Sequence, residues 1–181
     1  MVHVILADGF EEAEAVVPVD LLRRAGEDVL LIGLNGLQVT GAHGITVVAD
    51  ILFEEACKEV PNMLLLPGGG GGVEKMAKHN SLMGCIQQAF NQGVYLAAIC
   101  AAPTILARMG LLDRRNAVCC PGMEDEMDSA VVQKGDAVVT DGRIITGEAA
   151  GSVFQFGLKL VEVRKGAAAA RKVRDAIHFH G

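Results

Sequence analysis

The sequence predicts an α/β fold: a mostly parallel sheet covered by helices on both faces, a three-layer sandwich. Three observations predict it. Short apolar runs alternate with stretches of helical periodicity, the pattern of βαβ units. The runs "VHVILA", "DVLLIGL", "NMLLL" and "VYLAAI" are almost continuously apolar, as strands buried on both faces must be. Several of them end in small or glycine-rich turns that open a helix.

The elements follow in order. Residues 2–7 form the first strand. "FEEAEAVVPVDLLRRAG" repeats its apolar residues at helical spacing and closes on Gly26, a C-terminal cap. Pro18 sits inside that helix and is expected to kink or divide it. After the strand "DVLLIGL", the segment "LQVTGAHGITVVAD" reads as two short strands around Gly41–Gly44, with His43 at the bend. A short helix is expected over 53–58, then the strand "NMLLL" running into "PGGGGG". Helices are expected near 72–78 and 81–92, and a strand over 94–99 that leads through Cys100 into another helix. "NAVCCPG" reads as a strand ending at Pro121. "DAVVTDGRIITG" is the clearest hairpin, with Asp141-Gly142 as its tight turn. Helices over 151–164 and 167–179 close the chain.

The 181 residues suit one domain, expected over 1–181, with no linker or repeat. Half of them, 51%, are hydrophobic, which excludes a disordered chain. The net charge of -6 and the absence of Trp, with one Tyr, speak against nucleic acid as a partner. No apolar run reaches membrane-spanning length. "MVHVILADGF" enters a strand at once, without a basic region or cleavage signal, so a mature cytoplasmic protein is expected. The five cysteines, Cys57, Cys85, Cys100, Cys119 and Cys120, form no CxxC pair, so neither a disulfide framework nor a zinc site is expected.

In open parallel sheets, ligands gather beyond the carboxyl ends of the strands. Three features lie at such ends. "PGGGGG" lacks the closing Lys-Ser/Thr of a phosphate loop, but consecutive glycines let backbone N–H groups converge on a small anion or an oxyanion. A flexible connection is the plainer reading, and the run alone does not separate the two. Cys100, in "AAICAAP", meets the demands of a strand-to-helix nucleophile elbow: a buried strand, a sharp turn, small neighbours and an immediate helix. That helix is expected to favour thiolate at Cys100. The alternative is an inert core thiol. Glu14 lies just beyond the first strand among Ala13, Ala15, Val16 and Val17. In such surroundings a carboxyl has a raised pKa, can stay protonated, and can then donate or shuttle a proton. Ordinary complementation of a helix N-terminus is the alternative.

"ADGFEEAEAVVPVDLLRRAG", "LLLPGG" and "AAICAAPTILA", in this order and spacing, resemble the ThiJ/PfpI superfamily, and within it the DJ-one branch of protein deglycases. The resemblance runs through "TGEAAGSVFQFGLKLVE" over nearly the whole chain. It implies a flavodoxin-like sandwich, usually a homodimer, that needs no metal or organic cofactor. It implies that Cys100 is the reactive nucleophile and Glu14 the protonated partner that also holds its sulfinate. Gly68, Gly69 and Ala101 fall on backbone donors around the site. The activities implied are glutathione-independent glyoxalase or deglycase chemistry on small reactive aldehydes or glycated groups. The alternatives are redox sensing or chaperone-like protection through Cys100 oxidation, and, further off, a peptidase or amidase.

Three departures stand out. Cys120 replaces a histidine before Pro121, which removes a Cys–His pairing. Cys120 either fills space beside Cys100, the preferred reading, or resolves its sulfenic acid into a disulfide. His43 stands at an arginine that in the family's dimers reaches the partner's site, which implies a weaker or pH-dependent role. "GEAAGS" replaces a Gly-Pro-Gly-Thr loop.

Overall fold

The computed structural model describes residues 1–180. In chain order the elements are β1 (Val2–Leu6), α1 (Glu12–Arg24), β2 (Val29–Gly33), β3 (Gln38–Thr40), β4 (Thr46–Val48), β5 (Ile51–Leu52) and α2 (Phe53–Ala56). They continue with β6 (Met63–Leu66), α3 (Gly70–Ala77), α4 (Asn80–Asn91), β7 (Tyr95–Ile99), α5 (Pro103–Arg108), β8 (Asn116–Ala117) and β9 (Val131–Val132). The hairpin strands β10 (Val138–Asp141) and β11 (Ile144–Gly147) precede α6 (Val153–Lys165) and α7 (Ala167–Ala176).

The central sheet has seven strands in the order β10-β11-β7-β6-β1-β2-β5. All its pairings are parallel except β10 with β11. Alternation within β1 shows how the two faces fill. Val2, Val4 and Leu6 join a core with α1, α6 and α7, while Ile5 joins a core with α2 to α5. Because side chains alternate along a strand, a sheet covered on both sides needs apolar residues throughout, as the sequence shows.

Three expectations need correcting. Pro18 does not divide α1, which runs unbroken from Glu12 to Arg24. Pro18 is buried, and α6 packs onto it so closely that a Cβ at Gly157 would meet its Cα at 3.1 Å. That tertiary packing outweighs the missing N–H. The tight turn of the last hairpin centres one residue later than expected: Asp141 pairs with Ile144, leaving Gly142 and Arg143 as the loop. Gly142, at φ 60°, supplies the positive φ that such a turn demands. Finally, "NAVCCPG" is a strand only over Asn116–Ala117, beside β9. Beyond Ala117 its donors go elsewhere: Val118 N–H to Thr146 Oγ1 at 2.9 Å, and Cys120 N–H to the Cys100 carbonyl at 2.8 Å.

The cap of α1 does follow the sequence. Gly26 has φ 72°, its N–H reaches Arg23 O, and Glu27 N–H reaches Leu22 O, the paired bonds of a Schellman motif.

Candidate active site

The carboxyl ends of β1, β6 and β7 bring three segments together. Cys100 follows β7 directly and has φ 65°, a left-handed conformation that few non-glycine residues adopt. Strain of this kind persists only where the surroundings hold it. Here Cys100 N–H donates to Gly147 O at 3.0 Å, and the Cys100 carbonyl accepts from Cys120. The elbow is therefore pinned by β11 on one side and by the Cys119–Cys120 segment on the other.

Glu14 sits in the first turn of α1 and is fully buried. The chain stitches it to Gly68 in two directions. Gly68 O accepts Glu11 N–H at 3.0 Å, and Gly68 N–H donates to Glu14 Oε2 at 2.9 Å. A Cβ on Gly68 would lie 2.4 Å from Glu14 Oε2 and 2.7 Å from Cys100 Cβ. The missing side chain of Gly68 is what lets the carboxyl and the thiol share one space. Gly69 is equally restricted: at φ 88°, a Cβ there would meet Gly9 O at 2.4 Å.

Burial pushes the Glu14 carboxyl up to about 7, against the opposing pull of hydrogen bonds to Cys100 and Gly68. Burial, the Glu14 charge and the neighbouring Cys120 thiol push the Cys100 thiol up as well. This corrects the expectation of a thiolate held by a helix N-terminus. The helix that follows, α5, is only six residues long, and the carboxylate facing the thiol opposes ionisation. Near neutral pH Glu14 is poised to exchange a proton beside a thiol that keeps its own. Glu14 Oε1 is buried without an aligned hydrogen bond, so one carboxyl oxygen is left over for proton exchange.

Gly68 is also corrected in role. Its N–H is committed to Glu14, so it positions the carboxyl. Among the described residues, nothing in the chain accepts from the N–H groups of Gly69 or Ala101. A groove of about 390 Å³ begins at Ala101, with Val73, Thr104 and Met123 on its walls and Lys78 and Arg108 at its rim.

His43 is brought to α1. Its Nδ1 lies 3.0 Å from Glu12 Oε2 and 3.4 Å from Glu11 Oε1. Glu12 Oε1 further accepts from the backbone N–H groups of His43 and Ile45. Burial would raise Glu12, but these bonds outweigh it and hold its carboxyl at about 2. The single chain thus uses His43 to clasp the β3–β4 hairpin to α1. Those three side chains are close enough to offer ligand atoms to a metal, but the carboxylate of Glu12 is already occupied.

Two residues that sequence reasoning missed support the site. Gly147, the first residue of "GEAAGS", holds the elbow through its carbonyl, and a Cβ there would meet Phe156 at 2.9 Å. Thr146 accepts from Val118 and so fixes the approach to Cys119–Cys120. A glycine and a threonine closing a strand gave no chemical signal.

With this geometry in hand, the comparisons decide the kinship. The DJ-1/PfpI family model matches residues 1–163. The chain belongs to the DJ-1/PfpI family. It is 33% identical to protein dj-1beta of Drosophila melanogaster over 176 residues, covering 96% of this chain and 94% of that protein. It is 32% identical over 165 residues to a Pyrococcus abyssi protein named a deglycase, covering 91% and 99% of the two chains. The crystal structure of Drosophila DJ-1beta superposes with a TM-score of 0.94, at 31% identity, over 97% of this chain and 96% of that one. A DJ-1 superfamily protein from Salmonella typhimurium superposes at 0.93, also at 31% identity, over 99% and 98%. The fold is accordingly the flavodoxin-like sandwich of this family. Among the described residues, no helix is long and apolar enough to cross a membrane.

Proposed function

We propose that the chain is a stress-protection enzyme, a glutathione-independent glyoxalase or deglycase that converts small reactive aldehydes through Cys100, with Glu14 as proton shuttle. One observation carries this reading: a buried carboxyl that titrates at about 7 meets a strained thiol across a glycine that has no side chain to separate them. A group with a pKa near the working pH both accepts and returns protons efficiently. The name of the Pyrococcus relative supports the same class of substrate.

The steps for methylglyoxal balance without an external reductant or oxidant. The Cys100 sulfur attacks the aldehyde carbon as Glu14 takes the thiol proton and returns it to the new alkoxide. This gives a hemithioacetal. Glu14 then removes the hydrogen on that carbon and redelivers a proton to the adjacent carbon, through an enediol whose oxygens lie toward the N–H groups of Gly69 and Ala101. The product is a lactoyl thioester on Cys100, and water releases lactate and the free thiol. On glycated groups, the same attack on the carbonyl begins the release of the amine or thiol.

A homodimer belongs to this reading. It is supported by the exposed apolar side chains of Val16, Ile45 and Val48, on α1 and the β3–β4 hairpin that His43 clasps to it. A cytoplasmic location belongs to it too.

The test is lactate formation from methylglyoxal without glutathione. The wild type is expected to turn over repeatedly, and Cys100→Ala to lose turnover while remaining folded. A folded wild type that forms no lactate would remove this substrate from the reading.

A further inference from the structure

The second thiol at the site is not accounted for by aldehyde chemistry. Cys120 is joined to Cys100 by a backbone hydrogen bond of 2.8 Å, and its thiol is among the neighbours that hold the Cys100 thiol protonated. A disulfide spans roughly 4.4–6.8 Å between Cα atoms, a separation compatible with two residues joined by a direct backbone bond. Cys120 is also held from both sides. Thr146 fixes Val118 before it, and after it Cys120-Pro121-Gly122-Met123 forms a turn closed by Met123 N–H to Cys120 O at 3.1 Å. Gly122, at φ 90°, supplies the left-handed third position that such a Pro-Gly turn requires. Cys100 and Cys120 are both half-buried.

The adjacent Cys119 is different. It is buried in the core with α5 and β7, and burial pushes its thiol up to about 11. The chain therefore presents one neighbouring thiol to Cys100 and turns the other away.

We propose that Cys120 is the resolving thiol of a two-cysteine hydroperoxide-reducing centre, and that Cys100 and Cys120 close into a disulfide once Cys100 is oxidised. In the first step the Cys100 sulfur attacks the terminal oxygen of a small hydroperoxide. An S–O bond forms and the O–O bond breaks. Glu14 takes the thiol proton and hands it to the departing alkoxide, giving Cys100 sulfenic acid and an alcohol, or water from hydrogen peroxide. In the second step the Cys120 sulfur attacks the sulfenic sulfur. An S–S bond forms, the S–O bond breaks, and hydroxide leaves with the Cys120 proton as water. Overall the two thiols lose two electrons and the peroxide gains them. A small dithiol then restores both thiols by exchange. Disulfide closure competes with further oxidation of Cys100 to sulfinate, so the centre is reversible where a lone cysteine would be spent.

This shares with the proposed function Cys100 as nucleophile and Glu14 as proton carrier, and needs no aldehyde. The test reads peptide masses after treatment with equimolar hydrogen peroxide and alkylation of the remaining thiols, with no aldehyde present. The wild type is expected to give mainly a Cys100–Cys120 cross-linked peptide within one chain, and little sulfinate. Cys120→Ser is expected to give no cross-link, a Cys100 sulfenic acid that dimedone traps, and several-fold more Cys100 sulfinate. Cys119→Ser is expected to retain the cross-link. The proposal is overturned by equal sulfinate in wild type and Cys120→Ser, by a Cys119–Cys120 bridge, or by disulfides only between chains. A folded protein that is inactive in the methylglyoxal assay and still forms the cross-link would remove methylglyoxal from the proposed function and leave this inference standing.

Discussion

Glu14 and Glu27 are both buried glutamates, placed at opposite ends of the central sheet, and the chain treats them in opposite ways. Glu27, just before β2 at the amino end, is ringed by cations: the N-terminal ammonium at 3.0 Å, Arg164 at 3.2 Å and Lys165 at 3.5 Å. Burial would raise its pKa, but these partners outweigh burial and lower it. Glu14, at the carboxyl end, has no cation beside it. Its partners are a backbone N–H, a thiol and another acid, Glu11, and burial raises it to about 7. Burial is common to the two, so the neighbours decide. At one end the charge is fixed and ties the chain together. At the other it is left free to move with a proton.

The largest separation between the two is expected in catalysis. Glu14→Gln keeps the shape and the bond from Gly68 but cannot exchange the proton. It is expected to lower methylglyoxal turnover by roughly 10²–10⁴-fold, the usual contribution of a positioned acid–base group. Glu27→Gln is expected to leave turnover per folded molecule unchanged. Equal rates for the two variants would end the distinction drawn between them.

Gly68→Ala attacks the site without touching its chemistry. Its Cβ must displace Glu14 Oε2 or Cys100 Cβ, which would lie 2.4 and 2.7 Å away. A misplacement on the order of 1 Å costs about 100-fold in rate. Loss of turnover in a protein whose Cys100 still reacts with a small alkylating agent would show that the carboxyl–thiol approach, rather than access to the thiol, is what Gly68 protects.

These variants also mark what was legible beforehand. Cys100 could be read because an elbow imposes a local pattern: a strand, small residues and a helix within a few positions. Glu14 could be read because apolar neighbours in sequence foretold burial. Gly68 reads from the sequence as a backbone donor to the reacting group, since its bond to Glu14 joins residues 54 apart and nothing local reveals it. Glu27 gave no signal at all: Arg164, one of its partners, lies 137 residues away. The sheet was legible for the same reason as Cys100, through apolar runs that each identify themselves. The shortened β8 was not, because its donors are diverted to Thr146 and Cys100 by packing that only the folded chain defines.

Stability should separate the two acids with opposite sign. The rise of Glu14 from 4.5 to about 7 means that the folded state binds the extra proton between those values. Its burial costs nothing below about pH 4.5, and the cost is complete above about pH 7. Glu14→Gln is therefore expected to match the wild type in acid and to exceed it by about 3 kcal/mol above neutrality, at 1.36 kcal/mol per pKa unit. Glu27 is lowered, so it stabilises above its unfolded value and loses that contribution as pH falls through its folded value. Glu27→Gln is expected to cost about 1–3 kcal/mol at neutral pH, below the usual loss for a broken buried pair because its partners are partly exposed. Urea midpoints against pH for both variants check this, and shifts of the same sign would refute the contrast.

Glu12 makes the finest test, because it combines features of both. It is buried like the other two, yet its partner is a histidine whose charge depends on pH. The hydrogen bond to Glu12 raises His43, and Glu12 itself lies at about 2. The signs are opposite at the two ends of the window. The contribution from Glu12 is present above about pH 4.5 and fades as pH falls toward 2. The contribution from His43 is present below its ordinary value of about 6.5 and fades as pH rises through its raised one. The clasp on the β3–β4 hairpin is thus strongest between roughly pH 4.5 and 6.5. His43→Ala is expected to lower the urea midpoint most within that window and less on either side, by the smallest margin of the variants considered, since the His43 side chain is largely exposed. Hydrogen exchange at the Thr40 and Ile45 amides is expected to quicken with it, because the hairpin loses its hold on α1. A midpoint difference that stays constant with pH would show that His43 acts there by packing alone, and would place Glu12 with Glu27 as an acid held by fixed partners.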